Sequence, residues 1–320
     1  MVVLTHGEND SYADVVADLL EAEVPAVDIC VVHNPVTPAD REIRPARAGI
    51  EVLRMSGNRG YAVGMNAGMR HQLERGADWV WLLTHDVRLR PGAVAALSRS
   101  AQSADGYGAL GPVLALRESE GFFSHGGLRS RYGGTFHARS DLATRAPGPD
   151  GITEIVWLDG SAILLRAQAL RAVGGYDETL YGYSEDAELC LRLERAGWRS
   201  GVVADAVATQ VTGHQSRPGA VAYLLTRNKF RYRWLVAGRR GVLDGLKHQP
   251  REAVHNVRMV VDPRSPWHVR RFYFARAVGT WAGVGAFLLR RRSGPPPAWL
   301  PGLGEMGRGS TRARQPSAPG

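Results

Sequence analysis

Two acidic sites in this 320-residue chain have the residue types and surroundings that chemistry would use. The first is Asp86, which closes the apolar run Trp81-Leu82-Leu83-Thr84-His85-Asp86. A carboxylate at the end of a buried strand is a hard oxygen ligand suited to Mg2+ or Mn2+. These ions take one or two protein carboxylates and fill the rest of their shell from substrate phosphates. A strand-terminal Asp is also a common turn former, and Pro91-Gly92 close by fits that reading. The second site is Glu185-Asp186. From Asp186 onward Leu189, Cys190 and Leu193 recur at helical spacing, so the pair sits at a helix N-terminus behind an aromatic, glycine-containing loop. Acids there can simply cap the helix and complement its dipole. A carboxylate at the mouth of a cleft can also take a proton from an attacking hydroxyl, as a general base does.

The elements that must position these groups alternate along the chain. Val2-Val3-Leu4-Thr5 predicts a strand, Asp10 to Glu23 a helix, and Val27 to Val32 a second strand ending at the turn His33-Asn34-Pro35. Ile50 to Leu53 predicts a third strand, Ala62 to Glu74 a helix behind the Gly-containing turn at Ser56 to Gly60, and Trp79 to Leu83 a fourth strand. Strands alternating with helices imply a parallel sheet with right-handed crossovers, in which ligands bind at the carboxyl ends of the strands. Thr5, His33, Asn34, Asn58 and Asp86 all fall just past predicted strand ends and should share one rim. Residues from Ala104 to about Asp150 read as loops and short strands over the site. Ile155 to Leu158 and Ala162 to Leu165 read as two paired strands, and Ala167 to Val173 as a helix closed by Gly174-Gly175.

The two cysteines, Cys30 and Cys190, lie in apolar runs without CxxC spacing and are expected to be buried, unpaired thiols in a reducing compartment. Met1 runs directly into Val2-Val3-Leu4 without a charged n-region or cleavage site, so secretion is not expected. No stretch approaches the roughly 18 apolar residues of a membrane span; the nearest is Ala277 to Leu289. The formal net charge of +9 is strongly segregated. Residues 1–225 contain 21 arginines and no lysine against 27 acids, a net of −6, and residues 226–320 contain 19 basic against 4 acidic residues, a net of +15. The basic part mixes arginine with aromatics at Phe230 to Val236, is amphipathic from Gly241 to Val260, and predicts a helix over Val269 to Leu289 bracketed by arginines. Residues 295–320, rich in Pro, Gly, Ser and Arg, have the composition of a disordered tail. The expected division is therefore 1–225, 226–294 and 295–320.

The order of Val2-Val3-Leu4-Thr5-His6, Val31-Val32-His33-Asn34, the segment Asn58 to Gly68, Asp86 with Pro91-Gly92, Gly174-Gly175-Tyr176-Asp177-Glu178 and Glu185-Asp186 resembles family-2 inverting glycosyltransferases, in particular bacterial rhamnosyltransferase-like members. The resemblance covers about residues 2–235. It implies an α/β fold: a single GT-A-type nucleotide-sugar-binding domain with a mostly parallel central sheet flanked by helices, followed by a helical basic C-terminal extension. It also implies donor-binding roles for Thr5, His33, Asn34, Asn58, Gly60, Asn66 and Asp86. A divalent metal, Mg2+ or Mn2+, would sit on Asp86 with His214, and Asp186 would be the catalytic base with Glu185 orienting the site. Trp157, Asp159, Gly160 and Tyr183 would shape the sugar and acceptor pocket. The family usually carries an acid where this chain has His33 and an earlier acid where it has Thr84.

The partners so implied are a nucleotide-sugar donor, such as dTDP-rhamnose or a UDP-sugar, and a glycan, lipid-linked or small-molecule acceptor. The expected setting is cytoplasmic, with the basic helices lying against the inner face of the plasma membrane or packed as a lid. Two other classes compete. A nucleotidyltransferase would favour a basic, Gly-rich loop after the first strand, and here that loop is the acidic His6-Gly7-Glu8-Asn9-Asp10. A nucleic-acid-binding protein would account for the high pI, but no zinc, helix-turn-helix or aromatic RNP-like pattern accompanies it.

Overall fold

A computed structural model describes residues 1–6, 11–36, 43–45, 47–116, 122–138, 147–148, 150–210, 217–290 and 294–300. The chain forms two compact units, Met1–Val211 and Thr212–Gly320. In the first, β1 (Val2–His6), β2 (Cys30–Asn34), β3 (Glu51–Arg54) and β4 (Trp79–Thr84) lie in the order β4-β1-β2-β3 and run parallel. Helix α1 (Tyr12–Glu21) leads from β1 to β2, and α2 (Tyr61–Glu74) from β3 to β4. Val15, Val16 and Leu19 fall on one face of α1 and pack with Val3, Val31 and Leu83 of the sheet. On the opposite face Gly64 and Gly68 of α2 sit against Leu4 and Val2. Alternate residues of one strand thus feed two cores, which is why β1, β2 and β4 read as unbroken apolar runs.

The other half of the sheet is mixed. β5 (Val87–Leu89) and α3 (Ala93–Ser103) precede β6 (Tyr107–Leu116), whose ten residues are nearly all buried. β7 (Phe122–Ser124) pairs with β6, while β8 (Gly127–Arg129) and β9 (Thr135–His137) form a separate hairpin. Then come β10 (Ile152–Ile155), β11 (Ala162–Arg166), α4 (Ala167–Val173), α5 (Glu185–Arg195) and β12 (Arg199–Gln210). The full order is β10-β12-β6-β11-β4-β1-β2-β3. β11 runs antiparallel to both β4 and β6, and β10 is antiparallel to β12. The two strands expected to pair with each other near residues 155 and 162 therefore do not; each joins a different neighbour. The expected loop beginning at Ala104 instead contains β6, a central strand. Burial on both faces removes the alternation that would have marked it, and Gly108, Gly111 and Pro112 disguise it further.

The second unit is helical. α6 (Pro218–Val261) is interrupted at Gly238, where the backbone leaves helical geometry (φ 57, ψ −137), and α7 (Trp267–Leu288) follows Pro266. The two halves of α6 meet, because a Cβ on Gly245 would touch Phe230 and Arg233. α7 packs as closely at Gly279 and Gly283, where an added Cβ would meet the backbone of Gly219 at 2.0 Å and of Tyr223 at 2.6 Å. Small residues four apart let helix backbones approach in this way. Phe230 and Phe287 stack at 5.5 Å, and Arg233 reaches Asp244 at 2.6 Å. Residue 225, the expected boundary, lies inside α6. Among the described residues no helix is long and apolar enough to cross a membrane.

Candidate active site

Parallel pairing in register places Thr5 beside His33 and Leu4 beside Thr84, so the carboxyl ends of β1, β2 and β4 form one rim. Thr5, His33 and Asn34 are buried there. His33 meets a guanidinium: Arg54 Nη1 lies 3.2 Å from its Nδ1, and since arginine only donates, Nδ1 accepts. Asp86 stands just past β4, and the Thr84 hydroxyl donates to its Oδ1 at 2.6 Å. Thr84 therefore orients the carboxylate. His85 beside it stacks edge-on to His6 at 4.9 Å, and burial lowers its pKa against the pull of Asp86.

The Asn58–Gly68 segment forms the next wall. Asn34 Nδ2 donates to the Gly60 carbonyl at 2.9 Å, and Asn58 Oδ1 accepts from the Gly60 N–H at 3.0 Å and the Tyr181 hydroxyl at 3.3 Å. Gly60 begins α2 with φ 96, and a Cβ there would lie 2.4 Å from the Tyr181 carbonyl oxygen, so only glycine fits. Asn66, expected next to the nucleotide, is engaged elsewhere. Its amide accepts from Tyr176 N at 2.8 Å and donates to the Tyr176 carbonyl at 2.9 Å and to Glu178 Oε1 at 3.0 Å, pinning the Gly174-Gly175-Tyr176 turn.

That turn carries the acidic pair. Tyr181, Tyr183 and Ser184 all have positive φ, near 67°, a conformation that is costly for residues with side chains and gathers at functional sites. The strained loop ends at α5, so Glu185 and Asp186 occupy its first turn. Arg192 anchors the helix from behind, bonding Glu188 and the Val173 and Gly175 carbonyls. Asp186 Oδ2 accepts from Gly160 N at 3.0 Å and Oδ1 from Ala187 N at 2.7 Å. Burial, reinforced by the charge of Asp159, pushes its pKa up to about 7. Glu185 is buried, its Oε2 has no hydrogen-bond partner, and burial followed by the neighbouring Asp186 raises its pKa well above the carboxylate range. Two buried acids therefore share the site, and burial raises the pKa of both.

Asp159 accepts from Ser161 N at 3.0 Å, so the Asp159-Gly160-Ser161 turn presents a carboxylate and a backbone N–H to Asp186. Tyr61 and Tyr176, which sequence reading passed over as site residues, line the same place. Tyr61 donates to the Gly160 carbonyl at 2.5 Å, and its ring lies 5.7 Å from Tyr176. The signal for Tyr61 was its place inside the Asn58–Gly68 segment. Tyr181 gave none, because its role depends on a positive φ. Tyr183 is 41% exposed. Trp157 is 6% exposed, donates from Nε1 to the Leu128 carbonyl at 3.1 Å, and packs against Gly127 and His137. Trp157, expected to help shape the sugar and acceptor pocket, anchors the β8–β9 hairpin. His214 lies outside the described residues. Among the described residues no group of three or more His, Cys, Asp or Glu could hold a metal by itself.

Comparison with known proteins gives the family and the fold. Residues 1–235 match the family described as Glycosyltransferase like family 2. An N-acetylglucosaminyl-diphospho-decaprenol L-rhamnosyltransferase of Mycobacterium tuberculosis is 26% identical over 260 residues, covering 74% of this chain and 83% of that protein. The galactofuranosyltransferase GlfT1 of the same organism is 30% identical over 210 residues, covering 64% and 67%. In fold the chain is similar to GalNAc-T7 solved with UDP, GalNAc and Mn2+ (TM-score 0.54, 10% identity, 92% of this chain), of whose length it spans 58%. It is also similar to the mannosyltransferase PcManGT from Pyrobaculum calidifontis in complex with GDP-Man and Mn2+ (TM-score 0.50, 12% identity, 91% and 86% covered). With its GT-A-like sheet and a family match running from its first residue into the helical extension, the chain belongs to glycosyltransferase family 2.

Proposed function

We propose that the enzyme transfers a sugar, with inversion, from a nucleoside-diphosphate sugar to a hydroxyl of a lipid-linked or glycan acceptor, with Asp186 as the base. The observation that carries this reading is the Asp186 carboxylate. It is fixed by two backbone N–H groups and its pKa is raised to about 7. A general base works best when its pKa lies near the operating pH, and this carboxylate meets that condition. Burial and the neighbouring Asp186 also raise the pKa of Glu185 beside it. The Asp159-Gly160-Ser161 turn then holds the carboxylate facing the acceptor, and exposed Tyr183 offers a ring at the edge of the pocket.

Thr5, Asn34, Asn58 and Gly60 line the donor side of the rim. His33 with Arg54 replaces the usual acid there, which supports a different set of contacts to the nucleoside. Asp86 fits a Mg2+ or Mn2+ ion held jointly with the donor, because a single carboxylate oriented by Thr84 matches an ion that takes its remaining ligands from phosphates. Such an ion would stabilise the charge growing on the leaving diphosphate. The extension supports peripheral contact with an anionic membrane, since exposed tryptophans and arginines share its surface and lipid-linked acceptors reside there.

Asp186→Asn should lower transfer by about 10²–10⁴-fold while calorimetry shows unchanged donor affinity. An equal loss of donor binding would remove Asp186 from the role of base. Thermal stabilisation by a panel of dTDP- and UDP-sugars identifies the donor.

A further inference from the structure

The helical extension contains a cavity of ≈ 200 Å³ between the two halves of α6 and α7. One water needs only roughly 10–15 Å³. Three cations line it, Lys229, Arg233 and Arg276, against one acid, Glu252. Arg233 is matched by Asp244 at 2.6 Å. Arg276 reaches Glu252 only through Nη2 at 3.5 Å, and its Nε is buried without a hydrogen-bond partner. Lys229 makes no hydrogen bond or ion pair among the described residues, and its charged neighbours are Glu252, Arg276 and Arg233. The Thr226 hydroxyl lines the same wall.

Lys229 is exposed at the mouth of this concave space, so the excess positive charge around it faces solvent and is open to an anion. The donors left over are an ammonium, one edge of a guanidinium and a hydroxyl. Several charge-assisted N–H and O–H donors converging on one volume suit the oxygens of a phosphate. The Arg233–Asp244 and Arg276–Glu252 pairs tie the helices together and still leave the buried Arg276 Nε without a partner.

The geometry points to this cavity as a binding site for a phosphate or diphosphate group, separate from the acidic site on the sheet. The group comes either from a lipid headgroup or from a free anion. Its occupation does not depend on the transfer reaction proposed above, and it is read here without metal or sugar.

Inorganic diphosphate titrated calorimetrically into the full-length protein in EDTA tests the site, alongside co-sedimentation with phosphatidylcholine vesicles with and without phosphatidic acid. Lys229→Met should weaken binding by about tenfold or more. Glu252→Gln, which removes the only acid in the lining, should tighten binding several-fold, an outcome that a poorly folded variant would not give. A Lys229→Met effect confined to the calorimetry assigns a free anion, and one confined to the vesicles assigns a headgroup. The site is overturned if Lys229→Met matches the wild type in both assays, or if Glu252→Gln fails to tighten binding in either.

Discussion

The chain's eight tryptophans divide evenly between the two units, and the units treat them in opposite ways. Trp81 and Trp157 are buried in the first unit, and Trp79 and Trp198 are half-buried, while Trp234, Trp267, Trp281 and Trp299 of the second are 47%, 70%, 53% and 67% exposed. The same contrast extends to charge: the first unit is acidic and the second strongly basic. Apolar side chains in the catalytic unit fill the two faces of a sheet. In the extension, close packing at Gly279 and Gly283 and buried rings such as Tyr223, Phe230 and Tyr232 join the helices, while all four tryptophans face outward. Exposed rings set among cations are what an anionic membrane interface favours. Hydrophobic content thus builds a fold in one region and presents a surface in the other.

The sharpest break of that contrast is a matched pair of tryptophan substitutions. Trp81→Ala, at the centre of β4, should cost about 3–5 kcal/mol of stability in denaturant unfolding. Trp267→Ser with Trp281→Ser should leave the melting temperature within about 2 °C. If the exposed pair proved equally costly, the extension would be a packed lid. The next effect belongs to the catalytic unit alone. Asp86→Ala should eliminate the gain in donor affinity from Mn2+, about 10–100-fold, in calorimetry with and without the ion; an unchanged metal response would place the ion elsewhere. In the extension, the Trp267→Ser and Trp281→Ser double variant should reduce partitioning onto anionic vesicles by about tenfold, with transfer to a soluble acceptor unchanged.

The smallest effects are in pH. Asp186 must be ionised to accept a proton, so activity should rise as pH climbs through about 7. Asp159→Asn should move that limb to lower pH by a fraction of a unit, because Asp159 is the charged neighbour that raises it. Stability follows the opposite direction. The folded state holds the Asp186 proton that the unfolded chain has lost, so this contribution is full below the ordinary carboxylate range and vanishes as pH rises through about 7. The stability of Asp186→Asn relative to the wild type should therefore improve between pH 5 and pH 8, measured by thermal unfolding at each pH.

The parts of the fold that the sequence made legible are those governed by local pattern. The parallel order of β1 to β4, α1 and α2, the helix beginning at Glu185 and the burial of Cys30 and Cys190 all follow from apolar periodicity over short spans. Thr5, His33, Asn34 and Asp86 were legible as rim residues because a parallel sheet puts its strand ends together regardless of detail. The charge division was visible in composition, although the compact units meet near residue 211 rather than 225, since a helix can begin before the composition changes.

Long-range contacts decided the rest. β6 and β12 are adjacent in the sheet though their paired residues lie 91–94 positions apart in the chain, and no local pattern encodes that pairing. Whether Asn66 faces a nucleotide or clamps Tyr176, and whether Trp157 stacks on sugar or supports a hairpin, depends on which distant backbone arrives beside each side chain. Residue types and spacing determined that this chain carries a carboxylate at a strand end and an acidic pair at a helix start. Only the tertiary structure, by burying both acids and setting Asp159 near Asp186, decided that their pKa values would be raised, because desolvation and neighbouring charge come from residues far apart in sequence.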